Sequence, residues 1–362
     1  MTHLAVYKKV VVLLIFLSPL TGFAAIDSLR DGSHDFDFAV GTWKTHVRRL
    51  VHPLAGSNDW TTLDGRVVTR KIWKGKAQLE EIEADGPLGH FEGLNLFLYN
   101  PRAHQWGLYW SSSSDGILGI PTIGEFKNGR AEIFDQETFN GRTILVRGIW
   151  SEIHAKTHRF EQAYSDDGGK TWETNFIAEK TFENQEPIIL STPVKTLAAV
   201  PSATGLRDGQ HDFDFDFGTW NMHIRRLRHP LTDSASWFEM NGTTTVMKVW
   251  GGNANIAEVE ADGPTGPLEL LALRLYNPQA HQWAISFATS NMGVLSVPCI
   301  GEFNNGVGEF IDQEPYGDRT ILVRFNIQSL TADKAHSEQA FSKDGGKTWE
   351  TNWINDYTRV GN

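Results

Sequence analysis

One short stretch occurs twice in this chain of 362 residues, and the repetition limits the folds that the chain can adopt. Residues 165–175 read SDDGGKTWETN, and residues 342–352, 177 positions later, read SKDGGKTWETN. About half of all residues match at this offset, without insertions, from about residue 29 to residue 357. Such a period exceeds the roughly 20–50 residues of a solenoid repeat and suits a domain of roughly 150 residues. The sequence therefore predicts a tandem duplication of one domain.

The first residues lie outside both copies. Lys8 and Lys9 precede the apolar residues 10–17, and small residues follow. This order is typical of a secretory signal peptide, and the run, followed by Pro19, is shorter than the roughly 20 residues of a membrane span. We expect residues 1–25 to be a signal peptide and the protein to be exported to the periplasm or beyond, with no stable membrane anchor after cleavage.

The boundary between the copies is marked by composition. Residues 183–205 contain three prolines and show no strong periodicity, which is typical of a linker. The predicted organisation is domain 1 over residues 26–180, a linker over 181–205 and domain 2 over 206–362.

Charge and cysteine content exclude several classes of protein. The chain has 33 Lys+Arg against 44 Asp+Glu and a formal net charge of −11, which argues against a nucleic-acid partner or an anionic membrane surface. Cys299 is the only cysteine and aligns with Thr122, so no disulfide can form within the chain. We expect Cys299 to be a small buried side chain, with a reactive thiol as the alternative.

Both copies show the period-two alternation of β-strands. Leu94, Leu96 and Leu98 alternate with other residues before a turn, and Trp106 and Trp110 share one face of the next segment. Breaks at Gly, Pro and Asn recur roughly every 8–12 residues, and no long amphipathic helix is evident. The predicted fold class is all-β: two tandem antiparallel β-barrels, with a β-sandwich as the alternative.

The repeated stretch has a hairpin signature of its own. Asp-Gly-Gly between two strand patterns indicates a tight turn, because glycine readily takes a positive φ. The pattern Ser-x-Asp-x-Gly-x-Thr-Trp, from Ser165 to Trp172 and from Ser342 to Trp349, resembles the Asp-box hairpin of sialidases and other secreted β proteins. That resemblance implies a folding element and not a sialidase activity.

A second resemblance bears on the fold. Each domain begins with an acidic-aromatic segment followed by Gly-x-Trp, at Gly41 and Trp43 and at Gly218 and Trp220. This resembles the N-terminal motif of lipocalins and their calycin relatives, and the pattern as a whole resembles a bacterial lipocalin-like family. The resemblance implies an up-and-down barrel closed at one end by the Trp, with a small molecule at the other. It brings no particular chemistry, and the Thr-Asp-Tyr motif and cysteine pair of lipocalins are absent from the sequence.

Several polar side chains are candidates for catalysis. Asp135 and Glu137 share one strand face about 7 Å apart, so burial of one acid beside Arg147 could create an acid–base pair. A solvated strand face with cross-strand salt bridges is the alternative interpretation. The candidate catalytic residues are Glu83, Asp135, Glu137, Arg147 and His46 in copy one and Glu260, Asp312, Glu314, Arg324 and His223 in copy two.

Aromatic and arginine side chains are candidates for ligand binding. If the Trp43 face of the first strand is the barrel interior, Arg49 and Arg226 point towards a cavity. Most tryptophans should fill the core, and a minority should line a pocket. The candidate ligand-binding residues are Arg49, Trp73, Trp106 and Trp110 and, in the second copy, Arg226, Trp250, Trp283 and Phe287.

Three functions remain compatible with the sequence. The first, which we favour, is an exported protein that binds a small, largely apolar or aromatic molecule in one or both barrels. The second is a cofactor-independent lyase, isomerase, hydratase or hydrolase, and the third is a glycan-binding module. No phosphate loop, dinucleotide motif or compact metal-binding histidine spacing is present, so no cofactor or metal is predicted. The expected partner is a small-molecule ligand or substrate, and the sequence does not determine the oligomeric state.

Overall fold

The protein is almost entirely β-structure. A computed structural model describes residues 30–87, 89–185, 207–264 and 266–361, so the predicted signal peptide and most of the predicted linker lie outside the described residues. The helical structure in these ranges is four 3-10 turns: Asp37–Ala39, Trp73–Gly75, Asp214–Asp216 and Trp250–Gly252. In the described part of the chain, no helix has the length and apolarity that crossing a membrane requires.

Each domain contributes ten strands. Domain 1 contains β1 (Gly41–Leu50), β2 (Trp60–Ile72), β3 (Ala77–Gly86), β4 (Gly89–Asn100), β5 (Gln105–Ser112), β6 (Thr122–Lys127), β7 (Arg130–Phe139), β8 (Arg142–His154), β9 (Thr157–Ser165) and β10 (Glu173–Asn184). Domain 2 contains β11 (Gly218–Leu227), β12 (Trp237–Val249), β13 (Ala254–Gly263), β14 (Gly266–Asn277), β15 (Gln282–Thr289), β16 (Cys299–Asn304), β17 (Val307–Tyr316), β18 (Arg319–Thr331), β19 (Lys334–Ser342) and β20 (Glu350–Arg359).

Both sheets close into up-and-down antiparallel barrels. Each strand pairs with its sequence neighbours, and closure comes from the pairing of β1 with β10 and of β11 with β20. The predicted lipocalin-like barrel fold is therefore confirmed, and the sandwich alternative is excluded. The last strand of domain 1 continues to Asn184, four residues into the range predicted as linker.

Tight hairpins set the register between neighbouring strands. Asn128 and Gly129 join β6 to β7, and Asn140 and Gly141 join β7 to β8. All four residues have a positive φ, between 49° and 75°. Two successive residues with positive φ form the turn whose twist matches that of the flanking strands, so these Asn-Gly pairs fix which face of β7 points inward.

The inner face of each barrel is identified by its N-terminal tryptophan. Trp43 is 2% exposed, its ring packs against His158 and Phe182, and its indole N–H donates to the Ala39 carbonyl at 2.8 Å. Trp220 makes the equivalent bond to Asp216 O, also at 2.8 Å. Because residues that face each other across an antiparallel pair share a sheet face, the register carries this inner face around each barrel.

One end of each barrel is closed by the segment before its first strand. In domain 1, the Phe36 ring lies 5.0–5.2 Å from the rings of Phe97, Trp106, Phe126 and Trp150. Phe213 occupies the same place in domain 2 and is 1% exposed. We call this the plugged end, and the opposite end of each barrel the mouth.

The two barrels pack together through outward-facing apolar side chains. Leu94, Leu96 and Leu98 of β4 join Leu271, Leu273 and Leu275 of β14 in one buried cluster. The β4 leucines therefore form an outer face, while β4 also carries buried Phe97 on its inner face.

The contact between the barrels is nearly two-fold symmetric. A Cβ atom at Gly116 would lie 1.9 Å from the Tyr276 carbonyl oxygen, and one at Gly293 would lie 1.8 Å from that of Tyr99. Gly116 and Gly293 are equivalent by the 177-residue offset, as are Tyr99 and Tyr276. These two contacts are therefore exchanged by the 177-residue offset, as contacts across an isologous dimer are.

Candidate functional site

The mouth half of domain 1 holds a group of polar side chains on the inner face. Asp135 and Glu137 lie on β7, which alternates so that both point inward with Ile133, while Phe134, between Ile133 and Asp135, is 45% exposed. Arg49 on β1 and Tyr164 on β9 lie on the same inner face. We call Arg49, Asp135, Glu137 and Tyr164 the mouth cluster.

Burial changes the acidity of the mouth cluster. Burial raises the pKa of Asp135, although the Thr122 hydroxyl, which donates to Asp135 Oδ2 at 2.8 Å, lowers it. Burial also raises the pKa of Glu137, and the neighbouring Asp135 carboxylate raises it further. The pKa of Tyr164 is raised mainly by burial and by Glu137, while the Arg49 charge opposes that shift. The two acids therefore accept a proton more readily than acids in water.

One oxygen of the acid pair has no partner among the residues that the structure describes. Asp135 Oδ1 is buried and makes no hydrogen bond to any described residue. A buried acceptor without a partner costs about 1–3 kcal/mol, and such groups in native proteins commonly face a ligand or water.

Aromatic rings line the mouth beside the acids. Phe91 and Trp110 stack with a centroid distance of 5.8 Å and an interplanar angle of 12°. Trp110, Phe176 and Tyr164 are each partly exposed, whereas Trp106, two residues before Leu108 on the same inner face, is 1% exposed. The inner face thus becomes accessible towards the mouth, where a flat apolar molecule could contact these rings.

Domain 2 repeats the arrangement with changes. Asp312 and Glu314 lie on the inner face of β17, and burial raises the pKa of both acids, that of Glu314 further through Asp312. The Cys299 thiol takes the place of the Thr122 hydroxyl and donates to Asp312 Oδ2 at 3.1 Å. The Arg226 guanidinium lies 4.4 Å from the Trp353 ring centroid, and burial lowers its pKa.

The candidates on β8 and β18 lie on the other side of the sheet. Arg147 pairs with the exposed Phe134, and its guanidinium stacks 4.5 Å from the Trp172 ring of the repeated hairpin. Arg324 stacks 4.4 Å from Trp349 in the same way. The expected proximity of Arg147 to the acid pair inside the barrel is therefore not found, and Arg49 supplies the inner guanidinium instead.

The hairpin beneath these arginines is held by its own side chains. Asp167 accepts hydrogen bonds from the Ser165 hydroxyl at 2.8 Å and from the Thr171 amide and hydroxyl at 3.0 and 2.7 Å. Bonds from the Thr171 backbone and side chain lower the pKa of Asp167 to about 2. Ser342, Asp344 and Thr348 repeat these contacts in domain 2.

The other candidates for catalysis also lie outside the lumen. His46 is exposed, with Nδ1 2.7 Å from Asp64 Oδ1, and His223 lies 3.1 Å from Asn241 Oδ1. Glu83 and Glu260 occupy the outer face of their strands, because the inner face of β3 is the one that carries Glu80. These four residues therefore do not join the acid pairs that they were predicted to assist.

Four of the candidates for ligand binding are used elsewhere. Trp73 and Trp250 are buried in the cluster between the barrels. Trp106 and Trp283 lie at the plugged ends and donate to the carbonyls of Gly32 and Gly209, both at 2.9 Å. Arg49, Trp110, Arg226 and Phe287 lie on the inner faces, as predicted if the Trp43 face is the interior.

The alternation of charged residues in the sequence did not indicate the polar groups that lie deeper inside domain 1. Lys180 Nζ donates to Glu80 Oε2 at 2.7 Å, and both side chains are nearly fully buried inside domain 1. His158 is 2% exposed, and burial together with Lys180 lowers its pKa to about 2. The sequence contained a signal for the position of Glu80. Glu80 lies an even number of residues from Ala84, a small apolar residue, and so shares its strand face, whereas Glu81 and Glu83 do not.

Two cavities lie away from the mouth clusters. One of about 500 Å³ opens beside the plug of domain 2, between Arg207, Phe215 and Phe303. The other, of about 300 Å³, lies on domain 2 beside Lys74 and Glu260. Neither is lined by Asp135, Glu137 or their equivalents.

Comparisons with known proteins show likeness only at the level of structure. No protein-family model matches the sequence, and no curated protein matches it. Among solved structures, the chain is similar to EF1p2_mFAP2b bound to DFHBI, with 10% identity over 42% of this chain and 99% of that one and a TM-score of 0.24. It is also similar to the S-type phycobiliprotein lyase CPES from Guillardia theta, with 13% identity over 43% and 94% of the chains and a TM-score of 0.32.

A further match covers both domains. A protein of unknown function from the DUF3598 family of Nostoc punctiforme matches 92% of this chain and 100% of its own, with 10% identity and a TM-score of 0.24. These identities and TM-scores add no argument to the fold assignment, which rests on the strand order.

Proposed function

We propose that the protein binds a small molecule with an aromatic or apolar body and a positively charged amine in the mouth of one or both barrels. The observation that supports this proposal is the mouth cluster, in which two inward acids and one arginine lie beside aromatic rings. Domain 2 repeats the acids and the arginine, but it has Leu268 and Phe287 at the positions of the stacked pair Phe91 and Trp110. The apolar body would lie against Phe91 and Trp110, and the amine would donate to Asp135 and Glu137.

Charge balance supports an amine. With both acids ionised, Asp135, Glu137 and Arg49 sum to one negative charge. Burial raises the pKa of both acids, which means that their ionised forms are poorly solvated there. An ammonium group would stabilise both carboxylates and satisfy Asp135 Oδ1, and charge-assisted hydrogen bonds of this kind are among the strongest in proteins.

The proposal is tested with two ligands that share one body. Calorimetric titration would compare 2-(1-naphthyl)ethylamine with 3-(1-naphthyl)propionate at pH 7.5. We expect the amine to bind at least about tenfold more tightly, since one good charge-assisted contact contributes about 1.5–3 kcal/mol. Native mass spectrometry of protein from its source would show whether an amine of similar mass is already bound.

Paired substitutions locate the site. Asp135→Asn with Glu137→Gln should remove the preference for the amine in domain 1, and Asp312→Asn with Glu314→Gln should do so in domain 2. Gln136→Ala is the matched control, because Gln136 is exposed between the two acids on the opposite face. Equal binding of amine and propionate, or amine binding unchanged by both paired substitutions, would overturn the proposal.

A second candidate function is acid–base catalysis in the same mouth. The observation that favours it is the coupling of the two acids, since Asp135 raises the pKa of Glu137. Two adjacent acids can act as proton donor and proton acceptor in one reaction. This candidate requires turnover of a bound amine that either Asp135→Asn or Glu137→Gln alone abolishes. Binding without turnover would exclude it.

We also propose export, on the basis of residues 1–25 alone. Determination of the N-terminal residue of protein recovered outside the cytoplasm would test it. A mature chain that begins near residue 26 is expected, and an intact N-terminus would contradict cleavage.

A further inference from the structure

The outer face of domain 1 carries a compact group of potential metal ligands near the β3–β4 hairpin. Glu83 lies near the end of β3, and His90 and Glu92 follow on β4 after the turn. One ligand atom from each of the three residues lies within 4.8 Å of the other two. The hairpin brings them together, because β3 pairs with β4 so that Glu83 faces Glu92 directly.

The distances are close to those of a metal site. His90 Nε2 lies 3.5 Å from Glu92 Oε1 and 3.9 Å from Glu83 Oε1. Ligand atoms about 2.1 Å from a tetrahedral Zn²⁺ lie about 3.4 Å apart, so only a small inward movement is needed. Glu92 is 9% exposed and His90 is 33% exposed, which leaves an open position towards solvent.

A fourth side chain fixes the orientation of the imidazole. His90 Nδ1 lies 2.9 Å from Asp85 Oδ1. A proton on Nδ1 bonded to this carboxylate leaves the Nε2 lone pair directed at Glu83 and Glu92. Metal-binding histidines are commonly held by such a carboxylate on the other ring nitrogen.

Domain 2 offers a natural comparison, because its equivalent carboxylates each pair with a cation. The Lys74 ammonium lies 2.5 Å from Glu260 Oε2, and the Lys76 ammonium pairs with Glu269. These lysines reach across from domain 1. The residues equivalent to Lys74 and Lys76 are Gly251 and Asn253, so domain 2 cannot return the same contacts.

The second copy also lacks the histidine. Pro267 stands at the position of His90. The carboxylate pair of domain 2 therefore binds two ammonium groups, whereas an imidazole lies beside the equivalent pair in domain 1. This exchange points to a different kind of cation at Glu83 and Glu92.

We propose that Glu83, His90 and Glu92 form a binding site for one divalent transition-metal ion, with Zn²⁺ as the best match. Two carboxylates and one imidazole are ligands that Zn²⁺ accepts, and three protein ligands with an open position describe an exchangeable site. Asp85 is a positioning residue. The site goes beyond the sequence prediction, which contained no metal because the ligands are separated by a hairpin rather than by a compact motif.

Proton competition gives the site a pH signature. Burial lowers the pKa of His90, but hydrogen bonds to Asp85 and Glu92 outweigh it and raise the pKa overall. Because Zn²⁺ binds only the unprotonated nitrogen, affinity should fall as the pH is lowered.

The test is calorimetric titration of tag-free, EDTA-treated full-length protein with ZnCl₂ at pH 7.5. We expect one Zn²⁺ per chain rather than two. His90→Gln should weaken binding at least tenfold, and Asp85→Asn should weaken it about 10–100-fold. In EDTA, Asp85→Asn should melt at the wild-type temperature, which separates positioning from a structural role.

The matched control is His46→Gln. His46 is also a surface histidine bonded to an aspartate, at 2.7 Å, but it is not part of the three-ligand group. It should bind Zn²⁺ like the wild type. Stoichiometric binding that survives His90→Gln, equal loss in His46→Gln, or no Zn²⁺ binding by folded wild-type protein would overturn the proposal.

Discussion

Near the plugged end, the two barrels have different buried polar residues at equivalent positions. In domain 1, Lys180 and Glu80 form a buried ion pair, and the Thr69 hydroxyl donates to the same Glu80 oxygen at 3.3 Å. At the equivalent positions domain 2 has Tyr357 and Ala257. Domain 2 therefore has no charge at either position of the pair.

Domain 2 has its own buried pair on other strands. Arg274 Nη1 donates to Asp216 Oδ2 at 2.5 Å and to Asn255 Oδ1 at 3.3 Å. The equivalents of Arg274 and Asp216 in domain 1 are Phe97 and Ala39. Near the plugged ends, the two buried acids Glu80 and Asp216 are therefore each paired with a buried cation, as expected because an unpaired charge in a core costs several kcal/mol.

The largest expected effect comes from breaking one pair. Lys180→Met leaves Glu80 buried beside Thr69 without a cation, and we expect a loss of about 3–5 kcal/mol in the free energy of unfolding of domain 1. Urea denaturation at pH 7, followed by circular dichroism, measures it. The paired change Glu80→Gln with Lys180→Met removes both charges and should recover most of the loss. A paired variant as unstable as Lys180→Met would show that packing, not charge, is responsible.

The next effect tests a titratable group that only domain 1 has. The pKa of His158 is lowered from 6.5 to about 2 by burial and by Lys180, so the folded state keeps it neutral while the unfolded state is protonated below pH 6.5. Its contribution is complete above pH 6.5 and is lost as the pH falls towards 2. Between pH 6.5 and 4.5 the loss should be about 2–3 kcal/mol.

His158→Ala isolates this dependence, because Ala335 is the domain 2 residue at that position. The substitution should lower stability at pH 7.5 through lost packing against Trp43, but it should flatten the slope between pH 6.5 and 4.5. Parallel stability–pH curves for the wild type and the variant would refute the assignment.

At the mouths both barrels carry an acid pair, and the expected effect on stability is smaller and of opposite sign. Burial raises the pKa of Asp135 and Glu137, so their contribution to stability is complete below pH 4 and is lost as the pH rises through the folded-state values. Asp135→Asn with Glu137→Gln should therefore stabilise domain 1 at pH 8 by about 1 kcal/mol and change little at pH 4. Thermal melts at the two pH values measure this. A gain of equal size at both would contradict it.

The fold could be predicted from the sequence, because the sequence signals for it are local and repeated. The offset of 177 residues identified two domains, and Gly-x-Trp at Gly41 and Trp43 pointed to a barrel closed by a tryptophan. Alternation also placed Asp135 and Glu137 on one face. It could not choose the inner face, since a shift of one residue inverts the assignment.

The parts of the site that escaped prediction depend on contacts across strands. Arg147 lies close to the acid pair in sequence, but it points outward to Trp172. Arg49 lies far from the acid pair in sequence, but it points into the lumen. The sequence predicts a pocket role for Trp73, because the residues next to it in sequence do not indicate that a second barrel packs over it. Strand register and domain packing decide these roles, and neither is encoded by local spacing.

The smallest effect concerns the uneven ion pairs between the barrels. Lys76 pairs with Glu269 at a partly exposed position, so Lys76→Met should cost less than about 1 kcal/mol, and the cost should shrink from 50 to 500 mM NaCl. Asn253→Met is the matched control on the other side of the pseudo-two-fold axis and should show no such salt dependence. Urea denaturation at the two salt concentrations distinguishes them. A cost of several kcal/mol that salt does not reduce would mean that Lys76 supports the interface through packing of its alkyl chain rather than through its charge.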